Sequence, residues 1–181
     1  MTKVIILNGP PRCGKDTAAK AIMALFEDQG CEHMKLSQPL KDIVSMILGV
    51  SHDALETAKD VVTPSFNMTS RDAQIHTFGQ LAQLFGGDWL GKVTARRIAE
   101  TDAPYIVLSD GGRSEEIVPI VRAVGKTNVM IVQIMREGTS FANDIRTYVS
   151  LPGVTIKPAL NRTLAEYQAE MCDLASAFFA E

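Results

Sequence analysis

The sequence predicts an α/β fold in three layers: a parallel sheet with helices packed on both of its faces. Three observations predict it. Short apolar runs rich in β-branched residues recur along the chain, among them Val4-Ile5-Ile6-Leu7, Tyr105-Ile106-Val107-Leu108 and the stretch 128–135, as strands covered on both faces require. These runs alternate with amphipathic segments of helical spacing, the signature of βαβ units with right-handed crossovers. The first strand is joined to the first helix by a tight loop bounded by Gly9 and Gly14 and closed by Lys15. The 181 residues, 46% of them hydrophobic and 22% charged, suit a single domain over 1–181 with its own core.

The elements follow in order. Ala18, Ala19, Ile22, Met23 and Phe26 have the spacing of a helix face, and Gly30 is placed to stop that helix after about residue 29. Residues 32–37 read as a second strand. Pro39 then opens a helix whose apolar face is Leu40, Ile43, Val44, Ile47 and Leu48, with Gly49 at its end. From Val50 to Asn67 the pattern weakens, which predicts a mobile surface segment. Thr69 and Asp72 form a capping box for a helix with Ile75, Phe78, Leu81, Ala82 and Phe85 inward. Gly86-Gly87 breaks it, and Asp88 caps the next helix, where Trp89, Leu90 and Val93 continue the apolar face. A strand over 104–110 ends in Asp110. Ser114 caps a helix carrying Ile117, Ile120, Val121 and Val124, and the strand over 128–135 follows. Residues 136–151 lack core periodicity, Val154-Thr155-Ile156 is a last short strand, and Thr163 with Glu166 caps a final helix docked through Leu164, Tyr167, Met171, Leu174 and Phe178.

Composition excludes several classes. A net charge of −3, with no basic cluster beyond Arg96-Arg97, argues against nucleic acid as a partner, and those two arginines read as solvated. No apolar run approaches a membrane span, and a strand stands where a signal peptide would, so no membrane is expected and a cytoplasmic location is. Cys13, Cys31 and Cys172 are unpatterned and odd in number, which fits a reducing compartment. His33, His52 and His76 have no metal-ligand spacing.

The chemistry concentrates in Gly9-Pro10-Pro11-Arg12-Cys13-Gly14-Lys15-Asp16-Thr17. Strand, G-x-x-x-x-G-K and helix together make a phosphate loop: backbone N–H groups turn inward around a phosphate, and the helix N-terminus adds its donors and its positive end. Lys15 would reach the β- and γ-phosphates of ATP. Asp16 stands where a Ser or Thr usually ligates Mg²⁺, followed by Thr17. A carboxylate there either contacts the metal or its waters or caps a backbone amide. Cys13, although among loop N–H groups, is assigned no chemistry. Ser37, Asp110 and Arg136 fall at or after strand ends and should converge on the same rim, because ligands of open α/β sheets sit beyond the carboxyl ends of strands. Asp110 either orders the metal's waters and the acceptor or caps the Gly111-Gly112 turn. Arg71, a cation unfavourably placed on a helix's first turn, either grips an acceptor phosphate as a fork or is a surface residue. Arg136 and Arg146 bracket a lid-like stretch over 136–151, either as guanidinium groups brought to the transferring phosphoryl or as surface charges paired with Glu137 and Asp144.

These residues carry a resemblance. Gly14-Lys15-Asp16-Thr17, Lys35-Leu36-Ser37-Gln38-Pro39-Leu40-Lys41, Ser70-Arg71, Gly87-Asp88-Trp89, and Ser109-Asp110 followed by arginine and glutamates resemble the deoxynucleoside monophosphate kinases of tailed phages, over roughly residues 3–170. The resemblance implies a P-loop nucleotide kinase fold with a helical monophosphate-binding region, about 37–100, and a lid, about 136–151. It also implies ATP, Mg²⁺ held near Asp16 and Thr17, a deoxynucleoside monophosphate acceptor touched by Ser37, Arg71 and Arg113, and catalysis by Lys15, Asp110, Arg136 and Arg146. Two positions depart from the family pattern: Arg113 lies three residues after Asp110 rather than two, and the lid offers Asn143-Asp144 and Arg146 in place of a histidine and acidic cluster. A homodimer is compatible with the sequence. Two other readings stand beside it: a P-loop kinase for another small metabolite, such as a coenzyme precursor or sugar acid, and a nucleotide-binding module without turnover.

Overall fold

A computed structural model describes residues 1–142, 146–160 and 163–181. Five parallel strands form the sheet: β1 (Lys3–Asn8), β2 (Cys31–Met34), β5 (Tyr105–Leu108), β6 (Val129–Met135) and β7 (Thr155–Leu160), in the order β2-β5-β1-β6-β7. The central strand pairs on both sides, Val4 standing opposite Ile106 and Val129. Period-two alternation sends Val4 and Ile6 into one core and Ile5 and Leu7 into the other, all fully buried. This is why the run reads as continuously apolar. β7 contains Pro158, which an edge strand tolerates because one row of its N–H groups needs no partner.

Two helices cover one face: α1 (Lys15–Leu25), through Ala18, Ala19 and Ile22, and α7 (Leu164–Ala180), through Tyr167, Met171 and Phe178. The other face holds α2 (Gln38–Leu48), α5 (Trp89–Glu100) and α6 (Ser114–Val124), through Leu40, Val44, Leu90, Ile98, Ile117 and Ile120. α5 and α6 touch backbone to backbone at Gly91, where an added Cβ would stand 1.9 Å from the Glu116 carbonyl oxygen. The Thr69–Asp72 and Thr163–Glu166 capping boxes form as the spacing predicts, and Gly49 closes α2 in the left-handed conformation. α1 stops at Leu25, short of the expected end, and left-handed Gly30 closes a separate 3-10 turn over Glu27–Gln29.

Several expectations are corrected. Residues 50–67 carry α3 (His52–Thr57), capped by the Ser51 hydroxyl, and the first strand of a small hairpin, β3 (Val62–Thr63) with β4 (Met68–Thr69). A six-residue helix docked through one buried side chain, Leu55, shows no period to read. In α4 (Ser70–Phe85), Ile75 and Phe85 are exposed. The helix packs on α2 at the periphery by a narrow stripe of Ala73, Phe78, Leu81 and Ala82. Val93 and Leu164 also face outward. Asp88 sits at the helix boundary but its carboxylate goes to Lys92, 2.8 Å away, and caps no amide of α5. Ser114 is the first residue of α6 rather than its cap; the Arg113 N–H donates to Glu116 instead, at 2.8 Å. The strand predicted over 32–37 stops at Met34, and that over 104–110 stops at Leu108.

Candidate active site

The loop after β1 is shaped by close packing. An added Cβ on Gly9 would lie 2.7 Å from both Cys13 Sγ and the Ile134 carbonyl oxygen, so β6 admits only glycine there. Arg12 (φ 64°) and Gly14 (φ 105°) turn the chain through left-handed conformations. Among the described residues no side chain caps the N-terminus of α1, which leaves its first amides for a ligand, the cradle an anionic phosphate fits. The buried Tyr167 hydroxyl donates to the Gly14 carbonyl oxygen at 3.1 Å, fastening the loop to α7. Lys15 Nζ donates to the carbonyl oxygens of Gly9 (2.8 Å) and Pro10 (2.7 Å), lying across the loop. Cys13 is fully buried, and burial raises its thiol pKa despite the opposing charge of Lys15, so it stays a passive packing group.

Asn8, the last residue of β1, is fully buried and ties three segments together. Its amide donates to the carbonyl oxygens of Gly111 and Thr147, each at 3.3 Å, and its oxygen accepts from Val149 N–H at 2.8 Å. Sequence reasoning passed over Asn8, which belongs to no motif, and placed Tyr167 only on the docking face of the last helix, with no role at the loop. A polar residue ending a buried apolar run is the one signal that marks Asn8.

A cleft of about 330 Å³ opens at the carboxyl ends of β1, β2 and β5. Lys15, Asp16, Ser37 and Asp110 line it together, as the strand-end argument predicts, and Arg146 joins them; Arg136, which the same argument put on this rim, is outside the cleft's described lining. Lys35, Lys41, Glu56, Lys59, Gln74 and Glu116 also line it, and sequence reasoning gave none of them a site role. Helical periodicity sorts such charges as a solvated face, and only the fold turns them inward. Asp16, largely exposed, stands 3.6 Å from Lys35 Nζ and caps no amide among the described residues.

Asp110 lines the cleft, and its carboxylate binds the start of α2 rather than the Gly111-Gly112 turn. Its Oδ1 accepts from Leu36 N–H (2.6 Å), and its Oδ2 accepts from Ser37 N–H (2.9 Å) and Ser37 Oγ (2.5 Å). The carboxylate thus ends one strand by holding the start of α2 beyond its neighbour. Ser37 is engaged in that clamp. Glu116 is buried, and burial raises its pKa, although the Arg113 N–H and guanidinium oppose the shift.

The arginines separate. Arg146 lines the cleft, and Arg136 Nη1 donates to the Arg12 carbonyl oxygen at 3.3 Å, at the rim of the phosphate loop. Arg113 packs over the Phe78 ring at 4.7 Å, donates to the Gly87 carbonyl oxygen, and pairs with Glu115 (2.8 Å) and Glu116 (3.3 Å). It joins α4, the turn after it and α6, and is outside the cleft's described lining. Arg71 forks onto Asp60, Nε to Oδ1 at 2.6 Å and Nη2 to Oδ2 at 3.4 Å, and is likewise outside that lining. Its guanidinium is therefore engaged by a carboxylate rather than held open, as its helix position suggested. Arg71→Lys is accordingly expected to leave KM for acceptor and for ATP within about twofold, because an exposed ion pair contributes little; steady-state kinetics checks this. Within 136–151, residues 147–149 are fastened by Asn8, Gln133 and Ile134, and Val149 is buried. Asn143 and Asp144 lie outside the described residues. No group of three or more His, Cys, Asp or Glu is gathered for a metal among the described residues.

No protein-family profile and no curated protein matches the chain. Among solved structures it is similar to an unliganded sugar kinase from Janibacter sp. HTCC2649, with a TM-score of 0.53 at 11% identity over 99% of this chain and 95% of that one. It is also similar to TT1252 from Thermus thermophilus, with a TM-score of 0.51 at 12% identity over 97% of each chain. The likeness is one of fold, a parallel sheet with helices on both faces. No described helix is long and apolar enough to cross a membrane.

Proposed function

We propose that the chain is a kinase that transfers the γ-phosphoryl group of ATP to the 5′-phosphate of a deoxynucleoside monophosphate. One observation carries phosphoryl transfer: Lys15 of the phosphate loop and Arg146 of the 136–151 segment share a single cleft with Lys35, Lys41 and Lys59. That chemistry asks chiefly for positioning and for positive charge around the phosphoryl group, and these residues supply both. The deoxynucleotide acceptor rests on the order of motifs along the chain. Asp16 and Thr17, on the first turn of α1, are the residues that would hold Mg²⁺, which neutralises phosphate charge when bound. Such an ion takes one or two protein ligands and fills its shell with phosphate oxygens and water, so this sparse donor set fits it.

Asp16→Asn should raise the Mg²⁺ concentration needed for half-maximal rate, while metal-free ATP binds better through lost repulsion. An unchanged Mg²⁺ dependence would leave Asp16 with only its pairing to Lys35.

A second reading, a kinase for a sugar acid or a coenzyme precursor, is favoured by a specific observation. Arg71 and Arg113 are engaged elsewhere, so the cations on the cleft wall beyond the phosphate loop are chiefly lysines, which serve a carboxylate as well as a phosphate. ADP release from Mg·ATP, measured against each deoxynucleoside and nucleoside monophosphate, a sugar-acid set and coenzyme precursors, separates the two. Turnover with deoxynucleoside monophosphates is expected. Turnover with a sugar acid or coenzyme precursor alone transfers the assignment to the second reading, and stoichiometric nucleotide binding without ADP release overturns both.

A further inference from the structure

The cleft wall contains an arrangement that the phosphate loop does not explain. Glu56, in the last turn of α3, bridges two cations: Oε1 lies 2.7 Å from Lys41 Nζ and Oε2 lies 3.5 Å from Lys59 Nζ. All three line the same cleft as Lys15. We propose that Lys41 and Lys59 are the seat for the acceptor's anionic group, and that Glu56 is a built-in stand-in which the acceptor's phosphate or carboxylate displaces. The word acceptor rests on the kinase reading above; the anion seat itself does not.

The three side chains differ in how firmly they are held. Lys41 stands one turn into α2, whose start is clamped by Asp110, and its side chain is only 14% exposed. Glu56 is 46% exposed and rides on a six-residue helix with one buried anchor. The cation is fixed in the wall and the carboxylate is the part that can leave. A carboxylate presenting each oxygen to a different ammonium imitates two oxygens of a bound phosphate, or both oxygens of a bound carboxylate. Burial pushes the Glu56 carboxyl up, but the hydrogen bond and charge of Lys41, with Lys59, outweigh it and hold the group below the usual range, so it is an anion at neutral pH. Exchanging it for a ligand anion keeps the charge balance of the wall.

A second observation points to a ligand on the same wall. Gln74 lines the cleft, and its Nε2 is buried with no hydrogen-bond partner among the described residues. Buried donors are rarely left unpaired, because each forfeits its hydration. A hydroxyl or carbonyl oxygen of the acceptor would satisfy it. The class of ligand is therefore a small molecule with one anionic group and a neutral oxygen beside it. A solvated surface pair is the competing account, and it explains neither the burial of Lys41 nor the convergence of two cations on one carboxylate inside a cleft.

The test begins without any assumption about turnover. Inorganic phosphate and gluconate are titrated separately, by calorimetry, into protein carrying Lys15→Met so that the phosphate loop contributes little. Adding Lys41→Met should weaken binding roughly tenfold or more, as loss of a charge-assisted hydrogen bond does. Adding Glu56→Gln should tighten it roughly three- to fivefold, the scale of a half-exposed ion pair. Tighter phosphate than gluconate marks a phosphomonoester acceptor, and the reverse marks a sugar acid; either supports the seat. Lys59→Met and thermal unfolding of each variant guard against a loss of binding that is only a loss of fold. In the wild-type background the same changes should move KM for the acceptor in opposite directions, with KM for ATP unmoved. If Lys41→Met and Glu56→Gln leave anion binding unchanged, or shift it the same way, the seat is overturned even where turnover is found. Opposite shifts without ADP release keep the seat and sink the kinase reading.

Discussion

Lys15→Met should lower turnover by roughly 10³-fold or more while the protein remains folded, the scale on which removing one preorganised charge acts. The side chain is held by loop carbonyl oxygens at 2.7 and 2.8 Å and reaches Cys13 Sγ at 3.7 Å, all within the loop itself, so its loss removes no packing between sheet and helices. The loop's shape comes from elsewhere: the tight fit of Gly9 against β6 and the bond from Tyr167 to Gly14. Circular dichroism and thermal unfolding should therefore match the parent, with ADP release nearly abolished. Near-normal kcat in this variant would remove the phosphate loop from the mechanism.

The second large effect is expected at Asp110. Both of its oxygens accept from donors, Leu36 N–H on one and Ser37 N–H with Ser37 Oγ on the other. Asp110→Asn keeps the shape but replaces one oxygen by an NH₂ group that must face an N–H donor, and it removes the charge from the remaining bonds. A stability loss of about 2–4 kcal/mol is expected from bonds to a charged acceptor. For a chain of this size that corresponds to a fall in Tm of roughly 5–12 °C. The start of α2 loosens with it, so KM for the acceptor should rise while KM for ATP changes little. Calorimetric unfolding and steady-state kinetics check both parts. An unchanged Tm would show that the clamp is dispensable, and a collapse of kcat with KM unmoved would return Asp110 to direct work on the reacting groups.

What could be read along the chain was what is encoded locally. The β-branched runs, the loop from Gly9 to Thr17, and the Thr69 and Thr163 capping boxes each depend on residues within a few positions of one another, and each is found where its spacing puts it. The burial of Ile75 and Phe85 was misread for a related reason. Periodicity says which residues share a helix face, but how wide a stripe is covered depends on what packs there, and α4 meets its neighbours through a narrow one. α3 was missed because a single buried leucine has no period.

The sequence by itself determined a parallel α/β sheet, a phosphate loop at the end of its first strand, and the placing of Lys15, Ser37 and Asp110 on one rim, because strand ends in such a sheet share an edge. Only the tertiary structure decided how the charges pair. Arg71 goes to Asp60, Arg113 to Glu115 and Glu116, Asp110 to the start of α2, and Lys41 to Glu56 inside the cleft. These partners lie from two to 74 residues apart. An ion pair or charge-assisted hydrogen bond is chosen by distance and desolvation in the folded chain, and a linear pattern of charges carries neither.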